Sequence, residues 1–172
     1  MGTVTYLNQP GIHATRGAVP LAGTKHLYRV KKRLWPSEVE SKLGELIQEV
    51  GGVSLHVCAG YSRLGSYRLD IDPATGPDIV ADAARIPVGD RGVATVLCDP
   101  PFNGRYRWMH GMLSELSRVA QDRIVFQHWF VPGDELGRYR KDWSFTLSEL
   151  YLWQPRTYFG RAEVISVFDR EG

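Results

Sequence analysis

At 172 residues, with 43% apolar and 23% charged side chains and a formal net charge of +2, the chain can bury a core without disulfide or metal staples. That composition excludes global disorder, and no stretch approaches the roughly 20 continuous apolar residues of a membrane span. The opening MGTVTYLNQPGIHATRG has no apolar centre of signal-peptide type, so a cytoplasmic protein without a membrane partner is expected.

Residues 1–34 read as an irregular, basic N-terminal arm ahead of a single domain at 35–172. Gly, Pro, Thr and Asn recur without period over 1–24. Residues 25–33, KHLYRVKKR, then bring five Lys/Arg and a His together, interleaved with Leu27, Tyr28 and Val30. This is a solvated segment, an edge strand or a nucleic-acid-facing patch.

The clearest helix is WPSEVESKLGELIQEVGG (35–52). Ser37 can cap it with Glu40 as reciprocal partner. Val39, Leu43, Leu46, Ile47 and Val50 share one face, and Gly51-Gly52 stops it. Short apolar runs follow at 53–58, 67–71, 93–98, 123–129, 145–153 and 162–168. The first, third and fourth are nearly continuous, as strands covered on both faces of a parallel sheet are. Between the third and fourth, 105–120 has helical spacing at Met109, Met112, Leu113, Leu116, Val119 and Ala120, giving a strand–helix–strand unit with a right-handed crossover. The last two runs alternate more, and only 154–161 separates them, which suits an antiparallel pair at the sheet edge. The expected fold is α/β: a mostly parallel central sheet, helices on both faces and an antiparallel C-terminal hairpin.

In an open α/β sheet, ligands collect beyond the carboxyl ends of the strands. The first run ends in CAGYSRLG, with Gly60 and Gly65 flanking a turn. Small residues there let a ligand approach, with free N–H groups facing it; a plain tight turn is the alternative. The second ends at Asp70 and Asp72, either of which could accept hydrogen bonds from a ribose diol or simply border a turn before Pro73. Asp82 stands among apolar residues, where it could accept from an adenine amino group or cap the Ala-rich turn that follows. The third ends in Asp99-Pro100-Pro101-Phe102. Two prolines remove two N–H donors and hold the backbone extended, leaving carbonyl acceptors beside an aromatic face. That combination suits a planar ligand bearing an amino group. Cys58 and Cys98 end apolar runs and read as buried free thiols rather than a disulfide.

Together, LHVCAGYSRLG, YRLDIDP, VADAARIP and VLCDPPFN resemble the class I S-adenosylmethionine-dependent methyltransferases. More narrowly they resemble the amino-methyltransferases whose signature is Asp/Asn-Pro-Pro-Tyr/Phe/Trp. The resemblance covers about residues 53–168. It implies a Rossmann-like fold and S-adenosyl-L-methionine as cofactor. The 58–65 turn, with Cys58, Ala59, Gly60 and Gly65, would hold the methionine part. Asp70, with Asp72 second, would take the ribose, and Asp82 and Ala83 would lie by the adenine. Asp99 and the Pro100 carbonyl would accept from the target amine, with Pro101 completing the turn and Phe102 stacking on the base. No metal is needed: two fixed acceptors favour a tetrahedral nitrogen whose lone pair meets the methyl group in line. The chain departs from the pattern at His56, where family members commonly carry an acid.

Asn103, Arg105, Trp108, Trp129, Tyr158 and Phe159 are candidate substrate contacts, since aromatics beside Arg suit an extruded base. His128 and Phe130 join them at the mouth. There is no room for a separate target-recognition domain. Recognition is left to the arm, the short loops at 103–107 and 131–143, or a partner, and a homodimer stays open. The expected target is nucleic acid, with adenine N6 in DNA favoured over an RNA base (adenine N6 or guanine N2). A catalytically inactive cofactor- or nucleic-acid-binding subunit of the same fold is the further alternative.

Overall fold

A computed structural model describes residues 3–6, 35, 37–101, 107–128, 144–153 and 163–172. Among these residues, eight strands form one sheet: β1 (Thr3–Tyr6), β2 (Ser54–Val57), β3 (Tyr67–Asp70), β4 (Ile79–Val80), β5 (Val93–Cys98), β6 (Ala120–His128), β7 (Phe145–Trp153) and β8 (Glu163–Arg170). Their order is β1-β7-β8-β6-β5-β2-β3-β4. Every neighbouring pair is parallel except β6–β8 and β7–β8, so β8 alone runs against the rest. The hairpin of β7 and β8 is the expected antiparallel pair, with β8 inserted between β6 and β7. Thr3–Tyr6, within the segment read as irregular, runs as a strand along the outer edge of β7. The basic residues 25–33 lie outside the described residues.

Among the described residues, two α-helices sandwich the middle of the sheet. Helix α1 (Ser37–Val50) buries Val39, Leu43 and Leu46 against Leu97, Val125, Tyr151, Ile165 and Val167. Helix α2 (Arg107–Val119) buries Met112, Leu113, Leu116 and Val119 against Val96, Cys98, Ile124, Phe126 and Phe168 on the opposite face. Alternation along β5 and β6 explains the division: Val96 and Leu97 point to different sides, as do Ile124 and Val125. Each fully buried Leu or Ile contributes about 1.5–3 kcal/mol of transfer free energy, so these two seams carry most of the hydrophobic stabilisation. Arg123 of β6 joins three elements. It donates to Glu49 Oε2 (2.8 Å) and the Leu46 carbonyl (3.1 Å) of α1, and to Asp169 Oδ1 (2.7 Å) of β8.

The β2–β3–β4 wing is built differently. Segment 58–66 joins parallel neighbours β2 and β3 with fewer than the dozen or more residues a helical crossover takes. Segment 71–78 carries a single 3₁₀ turn, Pro73–Thr75, and 81–92 has no helix. On the α2 side of this wing, 81–92 itself supplies the cover: Ile86 is buried, and Ala81, Ala83 and Val88 press on the core formed with Leu55, Val57 and Leu69. Two residues of α2 clamp that segment. Arg118 donates to the Ile86 carbonyl (2.9 Å), the Val88 carbonyl (2.7 Å) and Asp90 Oδ1 (2.9 Å), while Glu115 Oε2 accepts from the Ile86 N–H (2.8 Å). Glu115 and Arg118 also pair with each other, which holds the Glu115 carboxyl below its usual range.

Candidate active site

The carboxyl ends of β2, β3, β4 and β5 lie side by side, because these strands are parallel and in register: Val57 faces Leu69 and Cys98, and Asp70 faces Val80. The residues that follow each strand therefore gather at one edge of the sheet. Cys58 to Gly60, Asp70, Ala81-Asp82 and Asp99-Pro100 are brought together there, although 41 positions separate the first from the last of these strand ends (98 minus 57).

The turn after β2 is held by its neighbours. Cys58 and Gly60 both have positive φ, 56° and 52°. A cysteine in that region is uncommon, since a Cβ crowds the following carbonyl. Ala59 N–H donates to the Leu69 carbonyl (3.1 Å), and Gly60 N–H to Asp70 Oδ2 (2.7 Å). Ser62 N–H bonds back to the Ala59 carbonyl (3.0 Å), and Leu64 N–H to the Ser62 hydroxyl (3.2 Å). The expectation of free N–H groups facing a ligand is corrected for Ala59 and Gly60, whose N–H groups β3 absorbs, and for Ser62 and Leu64, which bond within the turn. What the turn offers is space. A Cβ placed on Gly60 would meet nothing within 4 Å, so a ligand can come against this backbone. Gly65 has a different role. Its φ is 92°, and a Cβ would come within 3.1 Å of the Tyr67 carbonyl and 3.3 Å of His56, so Gly lets the chain re-enter the sheet.

Asp70 is the keystone of the arrangement. One carboxylate oxygen holds Gly60 N–H and the other accepts from Asp72 N–H (2.9 Å), tying the 58–65 turn to the end of β3. A carboxylate has about four acceptor positions, so Asp70 retains capacity for a ligand hydroxyl pair. Asp72 is engaged locally. Its Oδ1 caps the 3₁₀ turn by accepting from Ala74 N–H (2.9 Å), and its carbonyl accepts from the Thr75 hydroxyl (2.9 Å). Asp82 Oδ1 likewise accepts from Ala84 N–H (2.9 Å), the cap alternative for this residue, while the carboxyl stays exposed; Ala83 packs on the core.

After β5, Asp99 N–H continues the ladder to the Val57 carbonyl (3.3 Å). Asp99 is half-buried with Oδ1 shielded from water, Pro100 is buried and Pro101 exposed. Phe102, Asn103, Arg105, Trp129, Phe130, Tyr158 and Phe159 lie outside the described residues, as do the loops at 103–106 and 131–143. Trp108 is on the first turn of α2, its side chain outside the description. His128 is buried at the end of β6, stacked on Phe126 and within 2.7 Å of the Ser166 hydroxyl.

His56 points to the α1 side, behind the turn. Trp35 stacks on its ring at 5.5 Å with planes 11° apart. Neither ring nitrogen has a partner at full hydrogen-bond geometry. Burial pushes its pKa down to about 3; the Leu64 backbone opposes the fall, and the positive charge of Arg68 adds to it. His56 is a neutral core ring and presents no charge to a cofactor.

Sequence reasoning missed three features here: the double grip of Asp70, the left-handed Cys58 and the Glu115–Arg118 clamp. Only the last left a local signal, an acid and a base three apart on a helix. The other two depend on strands meeting.

No protein-family model and no curated protein matches the sequence. Solved structures do. The 1,6-didemethyltoxoflavin-N1-methyltransferase of Burkholderia thailandensis, with 1,6-didemethyltoxoflavin and S-adenosylhomocysteine bound, aligns at TM-score 0.61 and 13% identity over 91% of this chain and 94% of that one. A putative RNA methyltransferase of Pyrococcus horikoshii gives 0.57 and 16% over 77% and 81%. The magnesium protoporphyrin IX methyltransferase of Synechocystis PCC 6803, with bound S-adenosylmethionine, gives 0.56 and 16% over 78% and 77%. At such identities the likeness is one of architecture. This chain has the Rossmann-like class I methyltransferase fold, with its mixed sheet and antiparallel C-terminal hairpin.

Proposed function

We propose that this chain is an S-adenosylmethionine-dependent methyltransferase acting on an exocyclic amino group of a nucleobase, adenine N6 in DNA. The observation that carries the proposal is the adjacency of Asp99-Pro100-Pro101 at the end of β5 to the turn that Asp70 grips at the end of β2. One half-buried carboxylate stands beside a backbone that a ligand can approach, in a fold shared with proteins solved with this cofactor or its product.

The residues fit the cofactor. Open space at Gly60 admits the methionine end, Asp70 keeps acceptor capacity for the ribose hydroxyls, and Asp82 offers an exposed carboxyl next to Ala83 for the adenine. When bound, S-adenosylmethionine supplies an electrophilic methyl group. The chain's part is positioning. Asp99 and the Pro100 carbonyl accept from the two amine hydrogens, which pulls the nitrogen toward a tetrahedral shape and directs its lone pair outward. Asp99 then holds the proton that the amine gives up. The prolines keep both acceptors fixed because neither can rotate into a helix or donate to a ladder. Phe102 stacks on the base, while Asn103, Arg105, Trp108, Trp129, Tyr158 and Phe159 line its approach.

Three measurements test this. Equilibrium binding of labelled S-adenosylmethionine to the full chain should saturate; none at high micromolar cofactor overturns the proposal. Offering methyl-labelled cofactor with unmethylated DNA, total RNA and mixed protein, followed by digestion to nucleosides, should place label in N6-methyladenine from DNA. Label in RNA or protein overturns the target. Asp99→Ala should abolish transfer while the chain still folds, read as a cooperative thermal transition; full activity overturns the role of Asp99.

A further inference from the structure

The two cysteines end adjacent strands. Val57 of β2 is the register partner of Cys98 in β5, so Cys58 stands one residue further along the neighbouring parallel strand. With strands about 4.8 Å apart and a rise of about 3.3 Å per residue, that offset separates the two Cα atoms by about 6 Å. Such a separation lies within the Cα range that a disulfide spans. In a regular strand Cys58 would face away from Val57 and Cys98. Its positive φ of 56° breaks the alternation, and Cys58 packs on the same side, against the core that contains Cys98. Cys98 Sγ donates to Met112 Sδ (3.7 Å), and the Cys58 thiol is near enough to help hold the Cys98 thiol protonated. Cys58 is half-buried and Cys98 wholly buried, so solvent reaches the pair through Cys58. The uncommon backbone of Cys58 thus has a specific result: it turns one thiol onto another at the mouth of the site.

We propose that Cys58 and Cys98 form a thiol–disulfide site that reacts with a small disulfide such as oxidised glutathione, and that the bond so formed closes the β2 turn to cofactor. In the first step Cys58, as thiolate, attacks one sulfur of the oxidant. A Cys58–glutathione bond forms, the oxidant's S–S bond breaks, and one glutathione leaves with the proton from Cys58. In the second, Cys98 gives up its proton and attacks Cys58 Sγ, releasing the second glutathione, which takes that proton. The two cysteines lose two electrons and the oxidant gains them. Burial keeps Cys98 a thiol at rest, with the adjacent Cys58 and the Asp99 carboxylate acting in the same direction. This sets the order of events: the accessible thiol is modified first and the buried one resolves it.

The bond moves the turn. An S–S bond of about 2.05 Å replaces a thiol contact, and Cys98 is fixed in the core, so Cys58 must shift by about 1–2 Å. Ala59 and Gly60 follow it, and with them the hydrogen bonds to Leu69 and Asp70. The effect on cofactor rests on the methyltransferase proposal; the disulfide does not.

The full chain is incubated with oxidised glutathione or with dithiothreitol, remaining thiols are alkylated under denaturing conditions, and the digest is searched for a Cys58–Cys98 linked peptide. Labelled S-adenosylmethionine is titrated into both preparations. The linked peptide should appear only after oxidation, with affinity reduced about tenfold or more and restored by dithiothreitol, as displacement of a positioning group by an ångström implies. Cys98→Ala should yield no linked peptide and instead a glutathione adduct that persists on Cys58, since the resolving thiol is gone; should that variant not fold, Cys98→Ser serves in its place. Full alkylation of both cysteines after oxidation overturns the proposal. So does a glutathione adduct that persists on Cys58 of the native chain, or a linked peptide with unchanged affinity. If the reduced protein binds no cofactor at all, the methyltransferase reading fails, while the linked peptide still decides the disulfide.

Discussion

Asp70 carries two roles that most sites divide between residues. Its carboxylate fixes the turn after β2 through Gly60 and steadies the next turn through Asp72, and the proposed function gives it the ribose as well. Hydrogen bonds to a charged group contribute about 1.5–3 kcal/mol each in favourable settings, and less where half-exposed. Asp70→Asn keeps the shape but replaces one acceptor by a donor that faces an N–H. It should lower the urea midpoint by the equivalent of about 1–3 kcal/mol and weaken S-adenosylmethionine binding in the same titration. An unchanged midpoint would show that the grip on the turn is not stabilising. His56 gives a second prediction, in pH. Folded, it is neutral down to about pH 3; unfolded, it takes a proton near its ordinary value of 6.5. Between those values the unfolded chain binds more protons, so stability falls as pH falls, by up to about 1.4 kcal/mol per pH unit from this residue. His56→Phe preserves a ring against Trp35 and removes the titration. Denaturant unfolding at pH 7, 5 and 4 should show a shallower loss for the variant, with the two proteins alike above pH 7.

Among the elements, the segment 81–92 shows how a sheet is covered without a helix. Ile86 and its neighbours rest on Leu55, Val57 and Leu69, and the polar backbone this would strand is satisfied by Arg118 and Glu115. Arg118→Ala removes four partners of the guanidinium at once and leaves Glu115 without its cation. Because Arg118 is partly exposed, the loss should be about 1–3 kcal/mol in denaturant unfolding, with 81–92 becoming protease-sensitive ahead of the rest. Protection of Arg85 and Arg91 from trypsin equal to the native chain's would contradict the clamp. This element also marks where sequence reading stops. Periodicity gave α1 and α2 because their apolar residues recur at helical spacing, and it gave β5 and β7 with the observed ends. The two-residue β4 and the edge strand β1 were not legible. Each is too short to show alternation, and each exists because a neighbouring strand offers a ladder. The site followed the same rule. Asp99-Pro100-Pro101 announces itself locally through the prolines, whereas the grip of Asp70 and the meeting of Cys58 with Cys98 require β2, β3 and β5 to be side by side.

Across the whole molecule stability should be uneven, and the unevenness follows the helices. Helices α1 and α2 cover β5 and β6, and β8 is paired on both edges. The β3–β4 wing has no helix among the described residues and leaves Tyr67, Ile71 and Val80 more than half exposed. Local opening costs least where few apolar contacts are lost, so the wing should open far below the free energy of global unfolding. Amide hydrogen exchange should find β5, β6 and β8 slowest, with Leu69, Ile79 and Val80 exchanging orders of magnitude faster. Cofactor changes that pattern in a specific way if Asp70 and Asp82 bind it. Ligand that binds only the closed wing stabilises it by RT ln(1 + [L]/Kd), about 2.7 kcal/mol at one hundred times Kd. Saturating S-adenosylmethionine should therefore slow exchange at Ala59, Gly60 and Ala81 by up to about a hundredfold while leaving β6–β8 unchanged. Equal slowing across all strands would mean that exchange proceeds only by global unfolding. No slowing in the wing, with cofactor bound, would mean that it is held elsewhere. On the proposed function the uncovered wing would tie fold to activity: the strands that carry Asp70 and Asp82 are those the fold leaves least secured, and a bound cofactor would supply the contact that helices supply elsewhere.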